Sequence, residues 1–270
     1  MLGYHPRHMY PVILRLGPLT IYSYGTMMAL AFLTSAYFTG KELARNGLPE
    51  SAASTMVFWA AIGGLVGARL LTILEDVPAF LNDPIRFIVS GAGFVWYGGL
   101  IGGFVAVSWC IHRLALPYLK TIDCIAPSLA LGHAIGRIGC QLAGDGDWGK
   151  VTTVPWAMAY PNAIIGWNYP PGVRVHPTPI YETLVYTAIF AVLWGMRKRE
   201  QPDGALFWWY LVLASSARFL VEFLRINRPV AAGLTLAQLM SLGLVAIGVW
   251  RLLASSVPAP RQHAPARSTS

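Results

Sequence analysis

Charged residues are scarce in this sequence. Lysine, arginine, aspartate and glutamate together make up 12% of its 270 residues, against roughly 25% in soluble globular domains. So few charges cannot cover the surface of a chain that is 55% hydrophobic. Apolar runs of about 20 residues recur along the chain, each long enough to cross a hydrocarbon core roughly 30 Å thick. The composition therefore excludes an ordinary soluble domain and predicts a membrane protein.

Cysteine is also scarce. Cys110, Cys124 and Cys140 lie in or at the ends of apolar runs, without the paired spacing of metal ligands. This pattern excludes a disulfide framework and a zinc site, and we predict no metal. Basic residues are scattered through short loops rather than gathered on one face, so nucleic acid is not an expected partner. The net charge of +8 instead favours contact with the anionic lipids of a bilayer.

Hydropathy and loop punctuation predict an all-α, polytopic bundle of about seven transmembrane helices. The predicted spans are Thr20 to Gly40, Ser51 to Leu74, Phe87 to Ile111, Thr121 to Ala143, Thr178 to Met196, Gly204 to Phe223 and Ala231 to Leu253. They form one transmembrane domain, residues 1–253, with a long loop at about 144–177. Residues 254–270 lack apolar side chains to bury, so we expect a disordered tail.

Basic residues predict the orientation of the bundle. With the N-terminus outside and the C-terminus inside, ten lysines and arginines fall in inner segments and seven in the longer outer loops. A higher density of basic residues marks the cytoplasmic side. The tail is then cytoplasmic, and the aromatic-rich loop at 144–177 lies outside. That loop is either an aromatic belt at the membrane interface or a cover over a site.

Three arginines, Arg69, Arg137 and Arg218, fall within predicted spans. A charge at a helix centre costs at least ~2.5 kcal/mol on insertion scales, so such a residue is a functional candidate. Counting residues from the outer ends places all three about 8 to 10 Å below the outer surface. Glu182 and Glu222 fall in the same outer turns. We predict a polar cavity open to the outer leaflet; snorkelling of each arginine to the interface is the alternative.

On the sixth span, Arg218 and Glu222 are spaced i, i+4, so the carboxylate can hold the guanidinium group. Guanidinium groups match phosphate oxygens in bidentate geometry and remain charged when buried. Two such groups on different helices, Arg137 and Arg218, could bind a phospholipid headgroup. They could also stabilise the negative charge that develops as a phosphate departs.

The fourth span carries a stripe of His133, Arg137 and either Cys140 or Gln141, which ends at Gly144. Glycines on this helix, Gly136 and Gly144 among them, allow a lipid headgroup or a neighbouring helix to approach closely. Helix packing is the simpler of the two interpretations. Cys140 is more typical of a small buried apolar residue than of a covalent nucleophile.

The segment His176-Pro-Thr-Pro-Ile-Tyr-Glu182 reads as an outer loop entering a helix. Thr178 is the predicted N-cap, with Pro179 at the first helical position. His176 and Glu182 would lie at the mouth of the predicted cavity, one placed to bind a headgroup hydroxyl and the other a cation. A purely structural role is an equal alternative for both.

Four motifs together resemble those of the bacterial prolipoprotein diacylglyceryl transferases. They are Tyr97-Gly-Gly-Leu-Ile-Gly102, Gly136-Arg-Ile-Gly139, His176-Pro-Thr-Pro-Ile-Tyr-Glu182 and Arg218-Phe-Leu-Val-Glu-Phe-Leu-Arg225. The resemblance runs from about Leu14 to Leu253. It implies transfer of a diacylglyceryl group from phosphatidylglycerol to the lipobox cysteine of a prolipoprotein signal peptide, giving a thioether and glycerol 1-phosphate. It implies no cofactor, and a site facing the outer leaflet of the cytoplasmic (inner) membrane.

The resemblance also implies roles for individual residues. Arg137 would bind phosphatidylglycerol, with Gly136, Cys140 and Gly144 beside it. Arg218 would be a second essential arginine, supported by Glu222, and Tyr24 matches a further family position. These assignments make Arg218, Glu222, Tyr97 and Tyr24 the expected catalytic set, and His133, His176, Glu182 and Arg69 the additional candidates.

Three positions depart from the family pattern. Tyr97 stands where the family usually has a histidine, Cys140 where it commonly has an asparagine, and Gly144-Asp145-Gly-Asp147 where it has Gly-Glu. Because the attacking group is a thiolate, something must accept the thiol proton. Four alternatives remain open. The base is Tyr97 activated by nearby cations, or His133, or His176, or else the cations lower the pKa of the thiol directly. A non-catalytic or differently specific phospholipid-binding relative is the alternative function.

Overall fold

The structure, a computed structural model, describes residues 9–85 and 95–255, and most of these residues are helical. A hairpin of β1 (Val12–Leu16) and β2 (Leu19–Tyr22) comes first. The helices are α1 (Ser23–Arg45), α2 (Ala52–Glu75), α3 (Val77–Asn82), α4 (Trp96–Arg113), α5 (Tyr118–Ala143), α6 (Thr178–Met196), α7 (Ala205–Glu222) and α8 (Leu236–Ser255). Residues 87–94 of the predicted third span and residues 256–270 of the predicted tail lie outside the described residues.

Four of the helices, α2, α6, α7 and α8, are long and apolar enough to cross a membrane. Their outward surface is apolar, with Leu65, Leu184, Leu220 and Leu253 each 60% exposed or more. Side chains of this kind are stable in contact with lipid and unfavourable in contact with water. The prediction of a mostly helical membrane protein is therefore confirmed.

The hairpin corrects the predicted start of the first span. Val12 pairs with Tyr22 and Leu16 with Leu19, across a two-residue turn in which Gly17 has a φ of 58°. Glycine adopts this conformation without a steric penalty, and such turns suit antiparallel hairpins. The helix begins at Ser23, three residues later than the predicted Thr20, because residues 19–22 pair as a strand.

Helices α1 and α5 pack antiparallel through small and hydroxyl side chains. The hydroxyl oxygens of Thr39 and Ser128 are 2.6 Å apart, and Ser35 Oγ donates to the Ser128 carbonyl at 3.2 Å. At the other end of the pair, a Cβ on Gly139 would lie 3.1 Å from Met27 Cβ. This packing brings the N-terminal end of α1, with Tyr24, beside the C-terminal end of α5.

Helices α2 and α4 form a second close pair. Each of Gly63, Gly67, Gly98 and Gly102 faces the opposite backbone so closely that an added Cβ would overlap backbone atoms. Small residues allow helices in lipid to approach in this way. The glycines of both helices therefore serve helix packing.

The remaining core joins α5, α6 and α7. Alanines of α5 (Ala126, Ala130, Ala134) pack against Tyr186 and Ile189 of α6 in one buried cluster. Short side chains on α5 let the two neighbouring helices come close, since no bulky side chain separates them. Charged residues near the ends of these three helices are consequently held within contact distance.

The loop at 144–177 folds back over one end of the three helices. Val175 pairs in short bridges with Val151 and Met158. Trp148 is buried and stacks on Tyr160, with ring centroids 5.0 Å apart. Backbone bridges and an aromatic core give this loop a fixed path past the helix ends.

Candidate functional site

Six charged side chains form a closed ring of ion pairs at one end of the helices. Each arginine lies between two carboxylates, and each carboxylate between two arginines. In order round the ring, the residues are Asp147, Arg137, Glu182, Arg218, Glu222 and Arg225. The ring has three positive and three negative charges, so it is neutral as a whole although its members are largely buried.

Arg218 contacts the two most deeply buried carboxylates of the ring. Its Nη1 lies 2.7 Å from Glu222 Oε2 and 3.3 Å from Glu182 Oε1. Arg225 Nε lies 3.7 Å from Glu222 Oε2, while Arg137 contacts both Glu182 and Asp147. Charge-assisted contacts of this kind are roughly twice as strong as neutral hydrogen bonds.

Exposure differs sharply among the three carboxylates. The side chains of Glu182 and Glu222 are 1% and 0% exposed, whereas that of Asp147 is 28% exposed. Asp147 therefore forms the accessible side of the ring. It lies in the loop, between Gly146 with a φ of 94° and the tightly packed Gly149.

Two turns of the chain complete the ring. Gly144 ends α5 in the left-handed conformation, with a φ of 62° and its N–H on the Cys140 carbonyl, which directs the loop back toward the helices. Gly149 then pairs with Arg225 in a backbone bridge, and Lys150 N donates to the Leu224 carbonyl at 2.7 Å. These contacts bring Asp147 of the loop to Arg225, which follows α7.

The ionisation of Asp147 depends on the two arginines beside it. Burial by itself would raise the pKa of Asp147, but Arg137 and Arg225 outweigh that effect and lower the pKa to about 2. Asp145 has no such pairing, so burial and the charge of Asp147 raise its pKa. The two aspartates of the Gly-Asp-Gly-Asp sequence thus differ: Asp147 is a fixed anion, and Asp145 is the weaker acid.

Glu222 is held by residues beyond the ring. Its Oε1 accepts hydrogen bonds from Asn227 Nδ2 and Thr235 Oγ1, each at 2.8 Å. Glu222 Oε2 is thereby directed toward Arg218. Thr235 is in turn tied to Gln238, whose Oε1 accepts from Thr235 N at 3.0 Å.

His133 contacts the ring as a hydrogen-bond acceptor. Arg137 Nε lies 3.3 Å from His133 Nε2, and the imidazole stacks on Tyr186 with centroids 3.7 Å apart. An arginine can only donate, so His133 Nε2 is the acceptor in this contact. With its lone pair facing a guanidinium group, this nitrogen is not placed to take a proton from a thiol.

His176 lies in the loop, two residues before the start of α6. Its Nδ1 is 3.2 Å from the hydroxyl of Tyr181, which also accepts from Trp156 Nε1 at 2.7 Å. The His176 carbonyl accepts from Gly149 N at 2.8 Å. His176 thus stands next to the segment that carries Asp147, outside the ion pairs themselves.

Thr178 differs from its predicted role as the N-cap of α6. The N-cap is Pro177, and the Thr178 hydroxyl instead donates to the carbonyl of Asp147. Thr178 is the first residue of the helix and Pro179 the second. Its side chain therefore fixes the loop beside the ring.

The predicted site glycines, Gly136 and Gly144, both face neighbouring segments of the chain. A Cβ on Gly136 would lie 3.8 Å from Met28 Sδ, so this glycine faces α1. A Cβ on Gly144 would lie 2.8 Å from Ala163 Cα. This lack of space is a second reason for glycine at this position, besides the left-handed conformation. Tyr24 of α1 packs against Gly139 and is 43% exposed.

Arg69 and Tyr97 both lie on the α2–α4 pair of helices. Val95 N donates to the Ala68 carbonyl at 3.4 Å, which joins the C-terminal half of α2 to the start of α4. Arg69 and the half-buried Tyr97 are therefore at one end of the α2–α4 pair. The ring residues come instead from α5, α6, α7 and the segments that follow α5 and α7, so Arg69 is outside the ring.

Cys140 is buried beside Arg137, whose Nη1 lies 3.8 Å from the sulfur. Cys140, Asp145 and Asp147 place three metal-ligand atoms within 4.8 Å of one another. Both oxygens of Asp147 are already paired with arginines. A cation would have to displace a guanidinium group, so the geometry suits an anion better than a metal.

Two ring members, Asp147 and Arg225, were not among the predicted site residues. A sequence signal existed for each, since Arg225 continues the i, i+4, i+7 stripe of Arg218 and Glu222, and Asp147 belongs to the segment that departs from the family pattern. Two of Arg225's nitrogens, Nε and Nη1, are buried without a hydrogen-bond partner among the described residues. Unused donors of this kind mark a place where a further acceptor can bind.

The sequence matches known proteins over nearly the whole chain. The family described as prolipoprotein diacylglyceryl transferase matches residues 11–254, a range that contains all six ring residues. A phosphatidylglycerol–prolipoprotein diacylglyceryl transferase of Clostridium tetani is 34% identical over 244 residues, covering 90% of this chain and 96% of the relative.

Two further relatives carry the same name. The protein of Bordetella parapertussis is 33% identical over 264 residues, covering 93% of this chain and 97% of the relative. That of Nitratidesulfovibrio vulgaris is 34% identical over 253 residues, covering 90% and 92%. The resemblance drawn from four motifs is thus confirmed along nearly the full chain, which belongs to the prolipoprotein diacylglyceryl transferase family and is a transferase.

Proposed function

We propose that this transferase moves the diacylglyceryl group of phosphatidylglycerol to the lipobox cysteine thiol of a prolipoprotein. A bond forms between sulfur and the diacylglycerol carbon, and the bond from that carbon to the phosphate oxygen breaks. The oxygen leaves with the electron pair as part of glycerol 1-phosphate, and the thiol proton passes to a base. The closed ring with its three arginines is the observation that supports this proposal.

The phosphate would bind where Asp147 now lies. Asp147 is the most exposed carboxylate of the ring, and its two oxygens contact Arg137 and Arg225. The guanidinium groups of these arginines suit phosphate oxygens equally well. Arg225 also has buried donors to spare. Rotation of the partly exposed Asp147 side chain would free both arginines, so an incoming phosphate can take the place of its carboxylate without disturbing the buried Glu182 and Glu222.

The arginines then act on the leaving group. A phosphodiester carries one negative charge, and the departing phosphate monoester acquires a second. Fixed guanidinium groups in a site shielded from water stabilise that developing charge without reorganising. Arg137 would bind the phosphate, and Arg218, held by Glu182 and Glu222, would maintain the positive potential beside it, with His133 orienting Arg137.

Two residues are candidates for the base that accepts the thiol proton, Tyr97 and Asp147. Tyr97 stands at the position where the family usually has a histidine, and Tyr24 lies at the same end of the bundle. Asp147 is the second acceptor, because a phosphate that separates it from Arg137 and Arg225 removes the charges that lower its pKa to about 2. The variants Tyr97→Phe and Asp147→Asn distinguish the two. Gly136, Cys140 and Gly144 would shape the site without taking part in the chemistry.

The proposed setting is a bacterial cytoplasmic membrane crossed by seven helices, α1, α2 and α4 to α8, as one domain. Each of these has 18 residues or more. The ring lies at the outer ends of α5, α6 and α7, and Lys41, Arg45, Arg113 and Lys120 lie at the opposite ends. The basic residues thus favour N-out, C-in, with the tail in the cytoplasm.

The test uses the purified full chain in vesicles that contain phosphatidylglycerol, together with a lipobox peptide. Glycerol phosphate release is measured together with the mass of the peptide, which gains a diacylglyceryl group. A peptide whose cysteine is replaced by serine is the control and should release no glycerol phosphate. Headgroup binding without either product would contradict the proposal and leave a phospholipid-binding relative.

A further inference from the structure

A second group of charges lies at the opposite end of the bundle from the ring. It surrounds a polar cavity of about 260 Å³ between the C-terminal end of α1, the N-terminal end of α5 and the segment that joins α6 to α7. The lining includes five cationic side chains, Arg45, Lys120, Arg197, Lys198 and Arg199, and four acidic ones, Glu42, Asp123, Glu200 and Asp203. None of these residues belongs to the ring.

The two acids in the interior of this cavity already have partners. Glu42 is 5% exposed and pairs with two arginines, Arg45 at 2.7 Å and Arg197 at 2.9 Å. Asp123 accepts from the backbone N–H groups of Gly204 at 2.6 Å and Phe207 at 2.8 Å, and so caps α7. These two acids balance Arg45 and Arg197, and the whole lining, with five cationic and four acidic side chains, has a surplus of one positive charge.

Three further cations have no such partner. Among residues 9–85 and 95–255, no ion pair within 4.0 Å involves Lys120, Lys198 or Arg199. The two remaining acids of the lining, Glu200 and Asp203, are exposed. Lys120 is partly buried, whereas Lys198 and Arg199 are exposed, so Lys120 is the least exposed of these three cations. The cavity therefore offers donors for an anion.

An apolar groove adjoins the polar cavity. It has a volume of about 390 Å³, lies between α7 and α8, and is lined by side chains such as Trp209, Val212, Val249 and Leu252. Gln201 lines both spaces. A ligand with an anionic head and an apolar chain matches this pair of spaces, since one part needs cations and the other needs contact with hydrocarbon.

We infer that this end of the protein binds one anionic phospholipid, with its phosphate at Lys120 and Arg199 and one acyl chain in the groove between α7 and α8. Under the proposed orientation this end faces the cytoplasmic leaflet, whose anionic lipids attract basic residues. The inference does not depend on the reaction at the ring, because it uses neither the ring residues nor their chemistry.

The test is titration of the purified full chain with dihexanoyl phosphatidic acid, followed by native mass spectrometry to count bound lipids. Lys120→Gln/Arg199→Gln should weaken the binding of one lipid by about tenfold or more. Lys41→Gln/Arg113→Gln removes two exposed cations from the same end outside the cavity, and should change binding by less than about twofold. Thermal midpoints confirm that both variants fold. Equal weakening by the two variants would overturn the assigned site.

The groove and the headgroup are tested separately. Val249→Trp fills the groove and should weaken phosphatidic acid binding, whereas Ile247→Trp, on the exposed face of α8, should not. Glycerol 3-phosphate should bind at least about tenfold more weakly than the lipid, and dihexanoyl phosphatidylcholine likewise. Equal binding of glycerol 3-phosphate would show a site for free phosphate and overturn the lipid assignment. Equal binding of phosphatidylcholine would overturn the role of charge.

Discussion

Replacing Glu182 by glutamine tests whether the ring acts as one electrostatic unit. The side chain is 1% exposed and contacts both Arg137 and Arg218. Glutamine keeps the volume and one carbonyl acceptor but removes the charge. The ring would lose its ion pairs to Arg137 and Arg218 at this position and would carry a net charge of +1 in a buried site.

The size of the effect follows from what each arginine retains. Hydrogen bonds to charged groups contribute about 1.5 to 3 kcal/mol each, and breaking a buried ion pair costs about 3 to 5 kcal/mol. Arg137 keeps Asp147 and Arg218 keeps Glu222, so we expect the lower end, about 3 kcal/mol. For a chain of this size that corresponds to a thermal midpoint lower by roughly 6 to 12 °C.

The assay compares thermal midpoints and glycerol phosphate release in the same vesicles. Turnover should fall about 100-fold, because both arginines lose the carboxylate that positions them. Glu75→Gln removes an exposed carboxylate at the end of α2 and should change neither quantity. Arg218→Gln/Glu182→Gln restores the balance of charge, so it should destabilise by less than the sum of its single variants. Strict additivity, or a midpoint unchanged by Glu182→Gln, would refute the reasoning.

Four other variants test single features. Arg137→Lys should still insert but release glycerol phosphate about 100-fold more slowly, since lysine cannot hold two partners in bidentate geometry; unchanged turnover would remove Arg137 from the site. Tyr97→Phe should lower turnover about tenfold or more and Tyr97→His should not, whereas full activity with Phe excludes the phenol as the base. Asp147 has a folded pKa of about 2, below its unfolded value of about 3.9. Its stabilisation should therefore be complete above about pH 4 and lost as the pH falls toward 2. The midpoint difference between the protein and Asp147→Asn should shrink over that range, and a constant difference would contradict the assignment. Gly144→Ala should destabilise by about 1 to 3 kcal/mol, because alanine is strained at a φ of 62° and would meet Ala163, while Gly195→Ala, within α6, is the control for adding a methyl group.

The helices could be predicted because hydropathy over 20 residues reports directly on contact with lipid. The hairpin could not be predicted in the same way. Its side chains Ile13, Leu14, Leu16 and Leu19 are apolar and each about half exposed, so hydropathy does not separate them from the span that follows. Only the turn at Gly17 distinguishes the two, and a single glycine before a proline is a weak signal in a sequence with many of both.

The helical members of the ring were predictable from their depth along the spans. All four of these residues, Arg137, Glu182, Arg218 and Glu222, lie near the same end of the bundle, and a count of residues from the outer end of each span was enough to group them. The same count grouped Arg69 with them, because depth carries no information about which helices are neighbours. Helix packing places Arg69 with Tyr97 on the α2–α4 pair instead.

The other two members depend on the path of the loop. Asp147 and Arg225 are 78 residues apart and form an ion pair because Gly149 bridges to Arg225 and Gly144 reverses the chain. Neither contact has a period that hydropathy or helix geometry would reveal. A segment without regular structure therefore supplies the accessible carboxylate of the site.

The ring also constrains the order in which the chain can enter a membrane. Within its helix, α5 contributes only a cation to the ring, Arg137, and α6 contributes only an anion, Glu182. A helix that enters the bilayer alone bears the full expense of its charge, at least ~2.5 kcal/mol for an arginine at the centre of a span. Insertion of α5 and α6 as a hairpin neutralises both charges at once, and α7 brings its own pair in Arg218 and Glu222. We therefore expect α5 to remain at the insertion machinery until α6 has been synthesised. The length of the loop between them then sets how long insertion of α5 is delayed.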